Sequence, residues 1–256
     1  MTLRSRPHDL LWTIIRRIIL LTLRRSAAKV LLTTQIAEND QPARRWLAPD
    51  FNRFMVQVAT MADGLRPVAN LPRLPRTGSR LLVEMAILTS AAYRVLLDNG
   101  VKADNARTLV ADIGWDYYAA QLRLASLPFR LTTRDPGRRL QRTIRLLLWF
   151  PFGAPGAPGY AVDVSTKGPD ILTHFTHCPP HSFVRTLIEI KGDRGDLEAF
   201  RQSWCTYDWP GADLIAADGK RGHYVRRRTL SAGDPVCDMC WSARATDQTN
   251  DNTGLQ

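Results

Sequence analysis

The sequence predicts an α+β protein in which N-terminal helices are followed by an antiparallel sheet with interspersed helices. Two patterns support this prediction. Up to about residue 150, apolar residues recur at the spacing of amphipathic helices, and beyond the glycine- and proline-rich run at 151–159 they alternate with polar ones. With 256 residues, of which 45% are hydrophobic, the chain is long enough to bury a substantial core.

The first 79 residues are predicted as a basic helical arm that ends in a proline-rich linker, residues 64–79. In the arm, Arg17 and Arg24 share one helical face. A second face is apolar and consists of Leu11, Ile14, Ile15, Ile18 and Leu21. Arg16 and Arg17 leave no uncharged run long enough to cross a membrane. The helix either covers the protein's own core or docks on a membrane surface or a partner, and both interpretations stay open.

A domain over residues 80–243 is predicted to begin with three helices. Segment 80–98 has apolar residues at helical spacing and stops at an Asn-Gly pair, which commonly ends a helix. The next helix follows from Asp104, a suitable capping residue. The third helix has a face that we expect to be solvated, formed by Arg138, Arg142 and Arg145.

The rest of this domain is predicted to form two hairpins separated by helices. Alternating apolar residues and a turn at 167–170 predict the first hairpin. The second is predicted to turn around residues 231–235. Between the hairpins, helical spacing covers 180–190 and 196–209.

The charge and the cysteines limit the classes of function. The formal net charge is +11, mostly from arginine in the first 145 residues, but no RNP, KH or zinc-finger pattern accompanies it. We therefore do not expect nucleic-acid binding. The four cysteines lie in the C-terminal third, and no cleavable secretory signal precedes them, which favours a cytoplasmic location. The tail, 244–256, has so little to bury that we expect it to be disordered.

Cys237 and Cys240 have the CxxC spacing of zinc sites and redox motifs. Side chains alternate along a strand, so Cys237 would face one way and Asp238 and Cys240 the other. Two sulfurs on opposite faces cannot share one ion, so we predict neither a metal site nor a cofactor. Structural zinc stays an alternative because histidines are nearby in the sequence.

Cys178 is the strongest candidate for a nucleophile. It precedes a predicted helix, whose free backbone N–H groups could lower its pKa and also hold an oxyanion. His174 would share a strand face with it. The alternative is a cysteine that serves only as a small apolar core residue.

Two carboxyl groups and two arginines complete the candidates from the residues alone. Asp208 and Asp238 each lie near a cysteine and an aromatic residue, where partial desolvation could raise a carboxyl pKa and suit it to acid-base work. For Asp208, turn capping is the alternative. Arg226 and Arg228 would point to one face of a strand and could hold a substrate carboxylate, unless both are solvated.

Several weak motifs occur in one order, namely "THCP", "WCTYDW" and "RRRTLSAGDPVCDMCW". They are preceded by "EMAILTSAAYRVLLDNGVKADNARTLVADIGWDYY" and then "DPGRRLQRTIRLLLWFPFG". From about Leu81 to Trp241 the chain resembles the L-2-amino-thiazoline-4-carboxylic acid hydrolase family. The resemblance implies hydrolytic opening of a small, carboxylate-bearing cyclic amidine to a carbamoyl-cysteine. It also implies three further site residues, Cys205, Thr229 and Cys237.

The leading hypothesis is therefore a hydrolase that acts on a small anionic substrate. Arg226, with Arg228 in support, would bind the carboxylate. Cys178 or an activated water would attack the ring carbon between nitrogen and sulfur, and Asp238 or Asp208 would move protons.

Two other hypotheses stay open. The same pocket could belong to a non-catalytic ligand-binding or sensor module, or the protein could be a membrane-peripheral scaffold led by its N-terminal helix. A hydrolase is expected to keep its activity without residues 1–75, whereas a scaffold should lose its localisation.

Overall fold

The structure, a computed structural model, describes residues 7–39 and 42–245, with side chains from Trp12 onward. Over this part of the chain, five helices precede a four-stranded antiparallel sheet, and three more lie between its second and third strands. The predicted α+β class is confirmed. The tail predicted to be disordered lies almost entirely outside the described residues.

The N-terminal helices are long, in keeping with their continuous amphipathic pattern. They are α1 Pro7–Leu31, α2 Ala48–Ala69, α3 Thr77–Asp98, α4 Ala103–Thr132 and α5 Pro136–Trp149. The start of α5 is capped, because the Asp135 carboxylate accepts a hydrogen bond from the backbone N–H of Arg138 at 2.9 Å. The later helices are α6 Pro179–Lys191, α7 Asp196–Trp204 and α8 Asp208–Ala216.

The strands of the sheet are β1 Ala161–Lys167, β2 Asp170–His177, β3 Tyr224–Arg226 and β4 Cys237–Trp241. Their spatial order is β1-β2-β4-β3, with every neighbouring pair antiparallel. Both predicted strand pairings are present. The second connection is longer than a simple turn because it contains a 3-10 helix, Leu230–Ala232.

The centre of the helical core is α3, which is buried on most of its faces. Ile87, Tyr93 and Leu96 are fully buried. The neighbouring residue of the same helix, Arg94, forms a buried ion pair with Asp196 of α7 at 2.8 Å. Residues of α1, α2, α4, α6 and α7 contribute to this core, so the helices before and after the sheet share it.

Helix α1 is apolar on two sides. Ile19 and Leu31 are buried against the helical core, which confirms that the helix covers the protein's own interior. The predicted apolar face, however, is exposed at Ile14, Ile18 and Leu21. No helix among the described residues is long and apolar enough to cross a membrane.

The segment predicted as a linker is largely helical. Helix α2 continues through Pro67 to Ala69 and ends where Asn70 adopts a left-handed conformation, with φ 44°. A 3-10 helix follows, and α3 begins at Thr77. The proline-rich composition therefore marks a tight corner between two packed helices.

The helical stretch predicted over 196–209 is two helices, because the chain turns between Trp204 and Asp208. Tyr207, in this turn, donates a hydrogen bond to the carbonyl of Ala111 in α4 at 2.8 Å. Its hydroxyl passes over Gly114, where any side-chain carbon would collide with it. The break turns Cys205 and Asp208 towards the inner face of the sheet.

Candidate functional site

A cavity of about 150 Å³ lies between the helices and the inner face of the sheet. A space of this size accommodates a small organic ring on the order of benzene. Its walls are mainly apolar and include Leu82, Met85, Tyr117, Leu148, Phe152, Phe175, Trp204, Met239 and Trp241. Five of the predicted site residues line the same cavity, namely Cys178, Cys205, Asp208, Arg226 and Cys237.

Arg226, the last residue of β3, supplies the positive charge of the cavity wall. Only 5% of its side chain is exposed. Its Nη2 donates a hydrogen bond to the carbonyl of Cys205 at 2.6 Å, and its guanidinium lies 4.6 Å from the ring centre of Trp209. The carbonyl and the aromatic face together compensate for the loss of water around the buried cation.

Asp208 begins α8 and lies beside this guanidinium. Its Oδ2 accepts a hydrogen bond from the Tyr224 hydroxyl at 3.2 Å and lies 3.7 Å from Nη1 of Arg226. Burial raises the pKa of Asp208 to about 6, although the charge of Arg226 and the Tyr224 hydrogen bond act in the opposite direction. A carboxyl with this pKa exchanges its proton readily near neutral pH.

The three cysteines come from separate elements. Cys178 immediately precedes α6, Cys205 follows α7, and Cys237 begins β4. The Ser231 hydroxyl donates a hydrogen bond to the Cys205 sulfur at 3.2 Å, and the backbone N–H of Leu230 donates to the Cys237 sulfur at 3.2 Å. The 3-10 helix between β3 and β4 thus fixes two of the three thiols.

The thiols of Cys178 and Cys205 are held in the protonated form. Burial raises the pKa of Cys178 far above its usual range, and the backbone N–H of His181 offsets only part of this effect. Burial also raises the pKa of Cys205 to about 11, despite the Ser231 hydrogen bond and the charge of Arg226. The expectation that the helix start would lower the pKa of Cys178 is therefore wrong, because desolvation outweighs the backbone donors.

Asp238 and Arg228 lie outside the cavity, on the other face of the sheet. The Asp238 carboxylate accepts hydrogen bonds from the backbone N–H groups of Arg227 and Arg228 and from the Arg228 guanidinium, at 2.9, 2.7 and 3.0 Å. Burial alone would raise the pKa of Asp238, but the hydrogen bonds from Arg228 lower it below its ordinary value. This carboxylate holds the loop after β3 and does not reach the cavity.

His174 and Thr229 are also placed away from the cavity lining. His174 is exposed on the outer face of β2 and therefore does not face Cys178 across a site. Thr229 is buried behind the lining, where its hydroxyl lies 3.3 Å from the Cys237 sulfur. It supports a lining residue without bordering the cavity.

The predicted alternation along β4 is observed, with Cys237 on the inner face and Cys240 on the outer. The four cysteines of the chain are free thiols.

The ring nitrogens of His177 form hydrogen bonds with the carbonyl of Gly159 at 2.6 Å and with the Ser182 hydroxyl at 3.0 Å, so both are already occupied. Among the described residues, no group of three or more histidine, cysteine or acidic side chains is arranged to hold a metal ion.

The aromatic residues around Asp208 and Arg226 were not predicted as site residues from the sequence. Tyr118 lines the cavity and stacks on Tyr207, with 5.7 Å between ring centres. The rings of Trp209 and Tyr224 are in edge contact, with 4.9 Å between their centres. Trp209 lies against the guanidinium of Arg226, and Tyr224 donates a hydrogen bond to the carboxylate of Asp208. The aromatic residues next to Asp208 in "WCTYDW" were the available signal, because buried charges are often sheltered by aromatic rings.

Comparisons of this chain with protein-family models, with curated proteins and with solved structures give no match.

Proposed function

We propose that the protein is a hydrolase that opens a small cyclic amidine bearing a carboxylate, as in 2-aminothiazoline-4-carboxylate. The observation that carries the proposal is the pairing of Asp208, whose pKa is raised to about 6, with Arg226 in an otherwise apolar cavity. Titratable groups with shifted pKa values in a cavity are typical of catalytic sites.

The two charges complement such a substrate, which carries an amidinium and a carboxylate. Nη1 of Arg226 lies 3.7 Å from the Asp208 carboxylate. At this distance the two groups form an ion pair, but they are too far apart for a normal hydrogen bond. The substrate carboxylate would bind Arg226, and its amidinium would bind Asp208. The apolar lining would hold the ring between them.

In the proposed reaction, Asp208 acts as base and then as acid. It takes a proton from a water molecule as the water oxygen bonds to the ring carbon between nitrogen and sulfur. The carbon–sulfur bond then breaks, and the proton held by Asp208 passes to the leaving sulfur. The hydroxyl left on the carbon loses its own proton to solvent as the carbonyl forms, so the amidinium and one water give the carbamoyl-cysteine product and one released proton. The raised pKa of Cys178 favours water over this thiol as the nucleophile.

We place this reaction in the cytoplasm and expect a small anionic substrate with no nucleic-acid partner. Four free cysteines support the reducing compartment.

The test is mass-spectrometric detection of ring opening by the full-length protein with 2-aminothiazoline-4-carboxylate. Asp208→Asn should lower kcat by 100-fold or more, on the order expected for loss of an acid-base group. Arg226→Met should mainly raise KM, because it removes carboxylate binding. Cys178→Ala should keep most of the turnover if water is the nucleophile.

Asp238→Asn is the matched control, since this carboxylate lies outside the cavity, and it should keep the wild-type rate. An Asp208→Asn variant that is folded and as active as the wild type would refute the assignment of Asp208.

The cavity also favours a second candidate, a non-catalytic module that binds a small ligand. The observation behind it is that the Cys178 and Cys205 thiols are protonated in a mainly apolar cavity, a combination suited to binding without chemistry. Calorimetry with the same compound separates the two: binding that depends on Arg226, without product, would favour the module.

A further inference from the structure

Two exposed apolar stripes run along α1 and α4. Ile14, Ile18 and Leu21 lie on α1, and Leu124, Leu127 and Leu131 lie on α4. All six side chains are between 46% and 79% exposed. Within each helix the spacing is three or four residues, so each set forms one continuous ridge.

The two ridges lie near each other because α1 and α4 pack side by side and antiparallel. Just after the end of α1, the backbone N–H of Ala37 donates a hydrogen bond to Asn105, near the start of α4, at 2.8 Å. Asp116 of α4 accepts a hydrogen bond from Ser26 of α1 at 2.9 Å and pairs with Lys29. Measured from Ser26, the α1 ridge begins about 8 Å and ends about 18 Å along the helix, at 1.5 Å per residue. The α4 ridge covers about 12 to 22 Å in the same direction.

Helix α5 also packs against α4. It ends in Trp149, which is 78% exposed. Its exposed arginines include Arg138, Arg142 and Arg145. We call the outer surface of α1, α4 and α5, between residues 12–25 and 119–149, the basic apolar face.

The charge of the basic apolar face is almost entirely positive. Segments 12–25 and 119–149 contain eleven arginines and one acidic residue, Asp135. Seven of these arginines are exposed, namely Arg17, Arg25, Arg123, Arg134, Arg138, Arg142 and Arg145. Asp135 is itself bridged to Arg138. Most of the net charge of the protein is therefore concentrated where leucines and isoleucines are exposed.

We propose that the basic apolar face binds the surface of an anionic lipid bilayer. Arginines near such a surface are attracted by acidic headgroups, and exposed leucine and isoleucine side chains enter the boundary with the acyl chains. Nucleic acid would satisfy the arginines but leave the apolar ridges in water. A second copy would cover the ridges but bring two strongly positive faces together.

The proposed membrane binding does not rest on the proposed hydrolysis, but it would orient the cavity. Leu23 of α1, Tyr117 of α4 and Leu147 of α5 line the cavity, so the three helices that form the face also form one of its walls.

The test is co-sedimentation of the full-length protein with phosphatidylcholine vesicles, with and without phosphatidylserine. The protein should bind the anionic vesicles and release them at high salt. Changing Leu124, Leu127 and Leu131 together to Gln should weaken binding about tenfold or more, because apolar contact is lost. Arg142→Gln with Arg145→Gln should weaken it by about fivefold for each arginine.

The matched control is Ile190→Gln with Arg185→Gln on α6, which removes an exposed apolar residue and an exposed arginine elsewhere. Circular dichroism establishes that each variant is folded, and the control should bind vesicles as the wild type does. Equal binding to neutral and anionic vesicles would overturn the proposal. So would anionic binding that the leucine changes do not affect.

Two further outcomes would assign the face to another occupant. Tighter binding to RNA or DNA than to vesicles, insensitive to the leucine changes, would overturn the proposal in favour of nucleic acid. A dimer in sedimentation experiments that the same leucine changes dissociate would overturn it in favour of a second copy of the chain.

Discussion

A carboxyl and a guanidinium, those of Asp208 and Arg226, share a mainly apolar wall of the cavity, and the balance of desolvation and attraction sets the charge state of the carboxyl. Asp208 would be strongly acidic if Arg226 dominated its surroundings, yet its pKa is raised to about 6. The 3.7 Å separation is long enough for desolvation to outweigh the attraction. Asp208 can therefore hold either charge state near neutral pH.

This pKa shift makes the stability contribution of Asp208 depend on pH. Because the folded-state pKa is raised above the ordinary value of 3.8, the contribution is present at low pH and is lost as pH rises through about 6. We expect the free energy of unfolding of the wild type to fall by about 2 to 3 kcal/mol relative to Asp208→Asn between about pH 4 and pH 8. Urea denaturation of both proteins measures this difference.

Asp238→Asn is the control in the same experiment. The pKa of Asp238 is lowered on folding from the ordinary value of 3.8, so its contribution is present above that value and is lost only as pH falls below it, through the lowered pKa. The difference in the free energy of unfolding between wild type and Asp238→Asn should therefore stay nearly constant over the range in which the Asp208→Asn difference changes. If the difference in the free energy of unfolding between wild type and Asp208→Asn stays constant across this pH range, Asp208 has an ordinary pKa and the assignment is wrong.

At the residue scale, the sequence allowed Cys178, Asp208 and Arg226 to be selected but could not separate Asp208 from Asp238. Both have similar neighbours in the chain. Only the strand pairing shows that Asp238 faces outward into a loop whose N–H groups it binds. The protonated state of Cys178 was equally hidden, since it depends on the exclusion of water by residues distant in the sequence.

At the scale of elements, Tyr207 crosses α4 at the edge of the cavity. Gly114 allows the tyrosine to reach the carbonyl of Ala111, and both Gly114 and Tyr207 line the cavity. The turn that carries Tyr207 also places Cys205 and Asp208. Because Gly114 has no side chain, the turn before α8 can pack closely against α4.

Gly114→Ala should therefore destabilise the protein, although alanine is the better helix former. The added methyl collides with the Tyr207 hydroxyl, and we expect a loss of about 1 to 3 kcal/mol in the free energy of unfolding. The control is Gly64→Ala in α2, where the added carbon meets no atom within 4 Å. That change should stabilise by about 0.5 to 1 kcal/mol. Equal effects at both positions in chemical denaturation would contradict this account.

Helix existence and strand pairing were predictable because apolar periodicity reports which face is buried. The break before Asp208 was not, because the helical spacing of 196–209 continues across it. The turn after α7 is held against α4 by the hydrogen bond from Tyr207 to Ala111, almost a hundred residues earlier. Such contacts leave no local pattern in the sequence.

On the scale of the whole molecule, the N-terminal helices are tied to the rest by charge as well as by apolar packing. The buried Glu84 of α3 pairs with Arg66 of α2 at 2.7 Å and with Arg16 of α1 at 3.3 Å. Both partners lie in the segment described from sequence as an arm. Removing them would leave a buried carboxylate without its cations, which is strongly destabilising.

Deletion of residues 1–75 is therefore expected to abolish cooperative folding, and with it any activity of the site. The expectation from sequence, that a hydrolase would keep its activity without these residues, does not hold, because the first two helices form part of the same core. It would expose the core face of α3 and remove Leu23 from the cavity wall. Thermal unfolding followed by circular dichroism should show no sharp transition for the shortened chain. A truncated protein that melts as the full chain does would show that the first two helices are dispensable.

The shared wall of the cavity and the basic apolar face has a thermodynamic consequence. If contact with lipid changes the packing of α1 against α4, the volume around Leu23 and Tyr117 changes with it. Linkage then requires reciprocity: whatever factor lipid imposes on ligand affinity, the ligand imposes on lipid affinity. A molecule that fills the cavity would thus act as a regulator of where the protein resides.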